Sequence, residues 1–327
     1  MSELRRHYFL EEYCIIAAER NKRPSDFKAA KTVAGDEAVC PFCPGNESLT
    51  PPGVAAYSAQ GVLSEGSKTA EGWQIRVFPN AFAAMTARPA PSTPEWIALP
   101  GRGSHEVIVD SPLHRENPAD FSRQHMENLI WAYRDRYAHY RSDGLVKYVS
   151  VFKNWGMEAG ASISHSHSQL VTLPIMPPLI KRELDAFNWA SFCPFCHIVE
   201  QESRSRRLID ENGDWILIAP FYSEAPYEMW IMPRRHLANL EEMNEAEGRS
   251  LAALLKRALG NLRCLLSDPP YNYMIFQLPS RYHLNIRIQP AVSKMAGFER
   301  ATGIRINAAM PEVAAKELRD SCRAPKS

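Results

Sequence analysis

Two long stretches of the chain repeat apolar residues at helical spacing. The first begins near Pro118 with Asn117 as its cap, and the second has Asn244 as its cap with Glu247 three residues later. The first stripe consists of Phe121, Met126, Leu129, Ile130, Tyr133 and Tyr137, and the second of Leu251, Leu254, Leu255, Leu259, Leu262 and Leu266. This periodicity predicts two amphipathic helices that turn their apolar stripes towards a core.

Apolar, strand-like runs stand in the same order around each helix. The runs are 73–78, 105–114, 146–152 and 165–173 in the first half, and 215–219, 227–236, 271–277 and 283–285 in the second. Strands in series with one helix per unit predict an antiparallel sheet with a helix packed on one face. The repeated order predicts an α+β protein of two tandem duplicated domains, residues 1–178 and 179–327, joined at the proline-rich segment 174–178.

Composition and charge exclude several classes of protein. With 45% hydrophobic and 23% charged residues, the 327-residue chain is long enough to bury two cores. Its 38 basic and 37 acidic residues leave no broad positive field, which argues against a nucleic-acid partner. Residues 1–23 lack a signal-peptide core and no apolar run reaches membrane-spanning length, so we expect a cytoplasmic protein without a membrane partner.

Four of the seven cysteines lie in two CPFC tetrapeptides. A CxxC turn presents two thiolates to one tetrahedral ion, and two downstream histidines complete the shell. The predicted sets are Cys40, Cys43, His114 and His165 in the first half, and Cys193, Cys196, His236 and His283 in the second. Four protein ligands leave no open position, which predicts two structural metal sites; zinc is favoured, and iron in one of them is not excluded.

The remaining cysteines and two further histidines are expected to stay outside these metal sites. Reduced metal-binding cysteines fit the chain better than a disulfide framework, so Cys14, Cys264 and Cys322 are predicted to be packing residues. His105 precedes a strand and His197 adjoins a CPFC turn, and both are predicted to be bystanders.

The segment HSHSQ, from His165, carries the candidate chemistry. In an extended chain His165, His167 and Gln169 share one face, about 7 Å between neighbours. Taken alone, the two histidines fit a surface or metal-bound pair better than an anion site. The second copy replaces His167 with Asn285, so we assign the chemistry to the first half, with metal ligation by His165 clamping the strand that carries His167.

Several motifs in order give the chain a family resemblance. They are AERNKRPSDF from Ala18, CPFCPGNE from Cys40, RVFPNAF from Arg76, the 105–114 strand, FKNWG from Phe152, GAS from Gly160, HSHSQ from His165, GFE from Gly297, and the pairs Thr302-Gly303 and Ile306-Asn307. With these motifs the chain resembles the galactose-1-phosphate uridylyltransferases, the transferase branch of the histidine-triad superfamily, over nearly its whole length. It is also similar to the ADP-glucose phosphorylases, which share HSHSQ.

The resemblance implies a role for each matching residue. His167 would attack the α-phosphorus of a nucleotide sugar, forming a covalent nucleotidyl-histidine, and Gln169 would donate a hydrogen bond to a phosphoryl oxygen. The other implied contacts are Arg20, Arg23, Ser162 and Asn154 to phosphate, Asn80 to the nucleoside and Lys153 to an anionic acceptor. On the residues alone, Arg20 and Arg23 read as a solvated basic loop and Asn80 as a turn residue.

Departures from the family pattern leave the substrate open. Ser166 stands where the best-known members have a proline, and Lys153 where classical members have an acid. Trp155 stands where relatives often have a histidine, and Asn285 where the iron-site variants have a histidine. The leading prediction is transfer from a UDP-hexose to a hexose 1-phosphate. The alternatives are an ADP-sugar phosphorylase that uses inorganic phosphate and a zinc-knuckle binding protein without catalysis; Gln169 disfavours a hydrolase. A homodimer is expected from the resemblance.

Overall fold

A computed structural model describes residues 3–16, 40–59, 61–65, 72–87, 101–279 and 281–322 of the chain. Arg20 and Arg23 lie outside the described residues, so their phosphate role stays a prediction. Among the described helices, none combines the length and the apolar character that crossing a bilayer demands.

Among the described residues, eleven strands form one sheet in the order β4-β3-β5-β6-β8-β7-β12-β13-β11-β10-β9. Their bounds are β3 Ala55–Ser58, β4 Gly61–Glu65, β5 Ile75–Pro79, β6 His105–Val109, β7 Tyr148–Trp155, β8 His167–Leu173, β9 Leu208–Glu211, β10 Trp215–Ile218, β11 Met229–Pro233, β12 Tyr271–Phe276 and β13 Asn285–Pro290. Every neighbouring pair is antiparallel. A second sheet joins β1 (Glu3–Arg6), β2 (Tyr13–Ile16) and β14 (Arg305–Asn307).

Two long helices cover one face of the large sheet, as the apolar stripes predict. They are α1 (Arg123–Arg141) and α4 (Glu245–Leu266). Leu129 and Tyr133 of α1 and Leu255 of α4 share one buried core with Val151 and Leu170 of the sheet. The predicted α+β class with antiparallel strands is confirmed.

The helix starts follow their capping residues. Asn244 and Glu247 form the predicted capping box, in which each side chain accepts from the other residue's backbone N–H. The predicted start of α1 near Pro118 is wrong by one turn. Asn117 caps a short 3₁₀ turn, Pro118–Asp120, and α1 itself begins at Arg123 behind the Ser122 cap.

Two further helices lie on the other face in the second half. They are α2 (Pro178–Trp189) and α3 (Pro194–Glu202). Ile180 of α2 and Phe195 of α3 are buried against Ile216, Trp230 and Met232, which point away from α4. The second half therefore has helices on both faces, whereas the described residues of the first half place no α-helix on the face opposite α1. The short helix α5 (Gly297–Thr302) and α6 (Pro311–Asp320) complete the fold.

The two halves share the sheet through β7 and β12. Lys153 of β7 lies opposite Tyr273 of β12, and the strands pair from Val151↔Ile275 to Trp155↔Tyr271. The hydrogen-bonded ladder therefore runs without a break from one repeat into the next. The division into domains 1–178 and 179–327 stays a prediction.

One prediction about the cysteines is wrong. Cys264 of α4 and Cys322, just beyond α6, form a disulfide instead of packing as free thiols. Cys14 is free and buried, as expected of a packing residue. The spacing of single cysteines carries no pairing information, because their approach depends on how α6 folds back onto α4.

Candidate active site

The candidate site is built on β8, which lies between β6 and β7. Ser168 and Leu170 point to the helix face, where the Ser168 hydroxyl lies 2.6 Å from that of Tyr133. Because strand side chains alternate, His167 and Gln169 point to the opposite face. Phe152 on β7 stands directly across from Gln169 and shares that face.

The first predicted metal set converges beside this strand. Nδ1 of His165 lies 3.6 Å from Sγ of Cys40 and 3.5 Å from Sγ of Cys43, and Nδ1 of His114 lies 3.3 Å from Sγ of Cys43. Tetrahedral zinc, with bonds of ~2.3 Å to sulfur and ~2.0 Å to nitrogen, separates such ligands by about 3.5 Å. The donor set and its spacing therefore fit one tetrahedral ion.

The second set has the same geometry. Nδ1 of His283 lies 3.6 Å from Sγ of Cys193 and 3.5 Å from Sγ of Cys196, and Nδ1 of His236 lies 3.5 Å from Sγ of Cys196. In each set the ligand atoms all lie within 4.8 Å of one another. The described part of the chain thus holds two cysteine–histidine clusters that fit a metal ion.

Hydrogen bonds on the far side of the rings orient the buried ligands. Nε2 of His165 donates to the Ser111 carbonyl at 2.7 Å, and Nε2 of His283 to the Pro233 carbonyl at 3.2 Å. Each bond leaves the Nδ1 lone pair facing the sulfurs, as a metal ligand requires. Burial also lowers the pKa of His165 to about 4, so the ring is neutral at pH 7.

His167 follows the first cluster and is free of it. Its Nδ1 donates to the carbonyl of His165 at 2.8 Å, which leaves the lone pair on Nε2. The residue is 6% exposed, and its ring packs edge-on against Phe42, with centroids 5.2 Å apart. Burial lowers the pKa of His167, the carbonyl bond opposes this, and the Lys153 charge lowers it further. The imidazole is therefore neutral and aimed by the backbone.

Gln169 makes a contact that the sequence analysis missed. Its Oε1 lies 2.7 Å from Nε2 of His105, the residue that was predicted to be a bystander. His105 is indeed outside both metal clusters, but it touches a candidate catalytic side chain. The pairing of β6 with β8, which sets Val107 opposite Gln169, brings the two together, and this register was not read from the sequence.

Lys153 does not reach the face of His167 and Gln169. It stands opposite Ser168 and lies on the helix face, where it is fully buried. Its ammonium donates to Asp110 at 2.5 Å, to the Ser166 hydroxyl at 2.8 Å and to the His167 carbonyl at 3.1 Å. The expected contact of Lys153 with an anionic acceptor is therefore wrong. The ammonium group instead hydrogen-bonds to groups beside His167 from the helix face of the sheet.

The remaining described residues of the predicted site are Asn154, Asn80 and Ser162. Asn154 shares the face of Phe152 and Gln169, and its Oδ1 accepts from Nδ2 of Asn272 at 2.7 Å. Asn80 follows β5 and accepts the Phe82 N–H at 2.8 Å, which is the turn role weighed for it. Ser162 is exposed in the segment before His165. Their substrate contacts stay predictions.

In the second half, the positions that correspond to His167 and Gln169 hold side chains that bond to neighbouring protein groups. Nδ2 of Asn285 donates to the His283 carbonyl at 3.0 Å, which repeats the His167 bond without a nucleophilic nitrogen. Arg287, at the position of Gln169, donates to Glu183 of α2 at 2.5 Å and packs on the Trp230 ring. An internal ion pair thus occupies the position that corresponds to Gln169, and Asn285 provides no imidazole at the position that corresponds to His167.

Comparison with known proteins gives the same picture. A family model described as galactose-1-phosphate uridyl transferase, N-terminal domain, matches residues 1–177, and a domain of unknown function (DUF4921) matches residues 119–324. The ADP-glucose phosphorylase of Arabidopsis thaliana is 32% identical over 97% of this chain and 92% of its own length. The galactose-1-phosphate uridylyltransferase of Thermotoga maritima is 27% identical over 98% and 99%.

Solved structures agree with these matches. The crystal structure of the Arabidopsis thaliana ADP-glucose phosphorylase with bound ADP-glucose has a TM-score of 0.81 at 29% identity, covering 98% of this chain and 99% of that one. A uridylyltransferase structure has a TM-score of 0.76 at 27% identity, covering 99% of both chains. The similarity therefore extends over both halves.

Proposed function

The chain belongs to the galactose-1-phosphate uridylyltransferase family and is a nucleotidyltransferase, and on that premise we propose that it works through a covalent adduct on His167. The observation that carries the proposal is the bond from His167 Nδ1 to the His165 carbonyl. This bond fixes the tautomer that leaves Nε2 unprotonated, which is the form a nucleophile needs.

The transfer has two balanced steps. First, the Nε2 lone pair attacks the α-phosphorus of a nucleotide sugar, the bond from phosphorus to the bridging oxygen breaks, and the sugar phosphate leaves with the electron pair. Second, an oxygen of the acceptor phosphate attacks the same phosphorus and the phosphorus–nitrogen bond breaks, which restores Nε2. The proton stays on Nδ1 of His167 throughout, donated to the His165 carbonyl, and Gln169 stabilises the charge on the phosphoryl oxygens.

The leading substrates are UDP-glucose and a hexose 1-phosphate. The uridylyltransferases that the chain resembles over nearly its whole length support this choice. A second candidate, an ADP-sugar phosphorylase with inorganic phosphate as acceptor, is favoured by a specific observation. The ADP-glucose phosphorylase is more similar than the Thermotoga maritima uridylyltransferase in identity, 32% against 27%.

One labelling experiment tests both candidates. The protein is incubated separately with UDP-glucose and ADP-glucose that carry radiolabel at the α-phosphate. We expect acid-labile label on the protein from UDP-glucose; label from ADP-glucose alone would replace the leading substrate by the second. His167→Ala should remove the label, while His139→Ala, on α1, should keep it. Label from neither donor, or label on the His167→Ala variant, would overturn the adduct.

Both cysteine–histidine clusters are proposed to bind zinc structurally. Their sulfur and nitrogen donors suit zinc, whose role would be to hold the strands together. We expect two metal atoms per chain by elemental analysis. Cys43→Ser and Cys196→Ser should each lose one. Only Cys43→Ser should slow adduct formation strongly, because its cluster includes His165, two residues from His167. Equal slowing in both variants would contradict this.

A further inference from the structure

Three groups in the first half form a hydrogen-bonded chain that ends on Gln169. The backbone N–H of Ala84 donates to Nδ1 of His105 at 3.1 Å. On the other side of the ring, Nε2 of His105 lies 2.7 Å from Oε1 of Gln169. His105 and Gln169 are both partly buried, so this chain lies at the margin of the site and not deep beneath it.

The Ala84 contact decides where the proton of His105 sits. A backbone N–H can only donate, so Nδ1 must accept and carries no hydrogen. The hydrogen of a neutral imidazole is then on Nε2, which makes Nε2 a donor. A protonated ring, or the other tautomer, would set two N–H groups against each other at Nδ1.

This tautomer in turn decides how the Gln169 amide is turned. An Nε2–H donor requires an oxygen opposite it, so the carbonyl of Gln169 faces His105 and its NH₂ group points elsewhere. Asn80 does not alter this assignment. Its Nδ2 lies 3.2 Å from the same nitrogen, but its Oδ1 is held by the Phe82 N–H, so its NH₂ group meets a donor and forms no bond there.

We propose that His105 is a positioning residue that fixes the amide of Gln169 with its donor towards the phosphoryl group. An amide free to rotate by half a turn would present its carbonyl oxygen to a negatively charged phosphate for part of the time. His105 removes that orientation before substrate arrives, so the donor needs no reorganisation as charge develops. This inference rests on the proposed function, in which Gln169 contacts the phosphoryl oxygens.

Two substitutions of similar size separate the positioning role from a structural one. In His105→Gln the side-chain NH₂ group can reach the place of Nε2, whereas in His105→Asn it cannot. The measurement is the single-turnover rate of adduct formation with the labelled donor that labels the wild type. We expect a loss of about 10-fold or more in His105→Asn, with KM little changed, and recovery of most of the rate in His105→Gln. His105→Phe, which keeps a ring but no donor, should match His105→Asn and serves if that variant does not fold.

A double-mutant cycle shows whether His105 acts through Gln169. In a Gln169→Ala background, His105→Asn should change the rate by less than about 2-fold, because the group it positions is gone. An equal loss in both backgrounds, a wild-type rate in His105→Asn, or an effect on KM alone would overturn the inference. If the wild type itself takes no label from either donor, the proposed function falls and takes the inference with it, which distinguishes the two failures.

Discussion

At the scale of single residues, the buried pair of Lys153 and Asp110 lies directly behind the candidate nucleophile. Neither side chain has exposed surface, and Oδ2 of Asp110 accepts from both Lys153 and Ser166. Burial lowers the pKa of Lys153 and the Asp110 charge opposes that shift. Two charges removed from water depend on each other, since either one alone would be an uncompensated buried ion.

Lys153→Met should destabilise the protein by about 3–5 kcal/mol, because it leaves the Asp110 carboxylate buried without its counter-charge. Urea unfolding gives the free energy. Adding Asp110→Asn should recover part of the loss, since the unpaired charge is then gone. Arg249→Met, at an exposed helical ion pair with Glu245, should change stability by less than about 1 kcal/mol. A Lys153→Met effect as small as this control would show that the pair contributes little.

Glu228 should make stability depend on pH. It is 2% exposed, and burial, with the nearby Glu224 charge, raises its pKa from 4.5 to about 7. The folded state therefore binds the proton more tightly than the unfolded chain. Its stabilising contribution is present below about pH 4.5 and falls by about 3 kcal/mol as the pH rises through 7. Unfolding of wild type and Glu228→Gln at pH 5 and pH 8 measures this: the wild type should lose stability relative to the variant, and a constant difference would refute it.

The predictions for single residues succeeded where metal coordination limits the distances between side chains. The CxxC turns and their histidines converge because four ligands of one ion tolerate little variation. Lys153 was misplaced although a signal existed: it continues the alternating row of Val149 and Val151, which are core residues. His105 could not be placed without the register of β6 against β8, which depends on packing of the whole sheet.

At the scale of elements, α1 and α4 approach closely where a glycine meets a tryptophan. A methyl group added at Gly248 of α4 would overlap the Trp131 indole ring of α1, whereas one added at Gly260 of the same helix would meet nothing within 4 Å. Local sequence alone was enough to predict α4 from its apolar stripe and its capping box from Asn244 and Glu247. The crossing point depends on a contact between helices and was not predicted.

Gly248→Ala should destabilise by about 1–3 kcal/mol, because overlap with the indole ring outweighs the better helix propensity of alanine. Gly260→Ala is the matched control in the same helix and should be neutral or stabilising by up to about 1 kcal/mol. Thermal or urea unfolding of the two variants compares them directly. Equal effects of the two substitutions would mean that α1 can withdraw from α4 at no cost.

At the scale of the whole molecule, the disulfide between Cys264 and Cys322 links the segment just beyond α6 to α4. It closes a segment with a sequence separation of 58, which includes β12, β13 and α6. Leu318 of α6 is buried in the large core, so the bond secures a helix that already packs. A covalent link of this kind stabilises mainly by restricting the unfolded chain.

Reduction of this bond, or Cys264→Ser with Cys322→Ser, should lower the free energy of unfolding by about 2–4 kcal/mol. Thiol counting provides the direct check. Of seven cysteines, five should react in denaturant with a chelator, and all seven after reduction. Seven reactive thiols without reductant would show that the bond does not form in the protein as purified.

The pairing of β7 with β12 has a consequence for how the chain is made. During synthesis β7 is complete long before residue 276 leaves the ribosome. Until β12 has been made, the edge of β7 that pairs with it exposes unpaired backbone N–H and C=O groups. We expect that half, released alone, to aggregate or to recruit chaperones, and to be rescued when the remainder is produced in the same cell. Because β7 and β12 pair with each other, neither half can complete its own sheet edge until the other half is present.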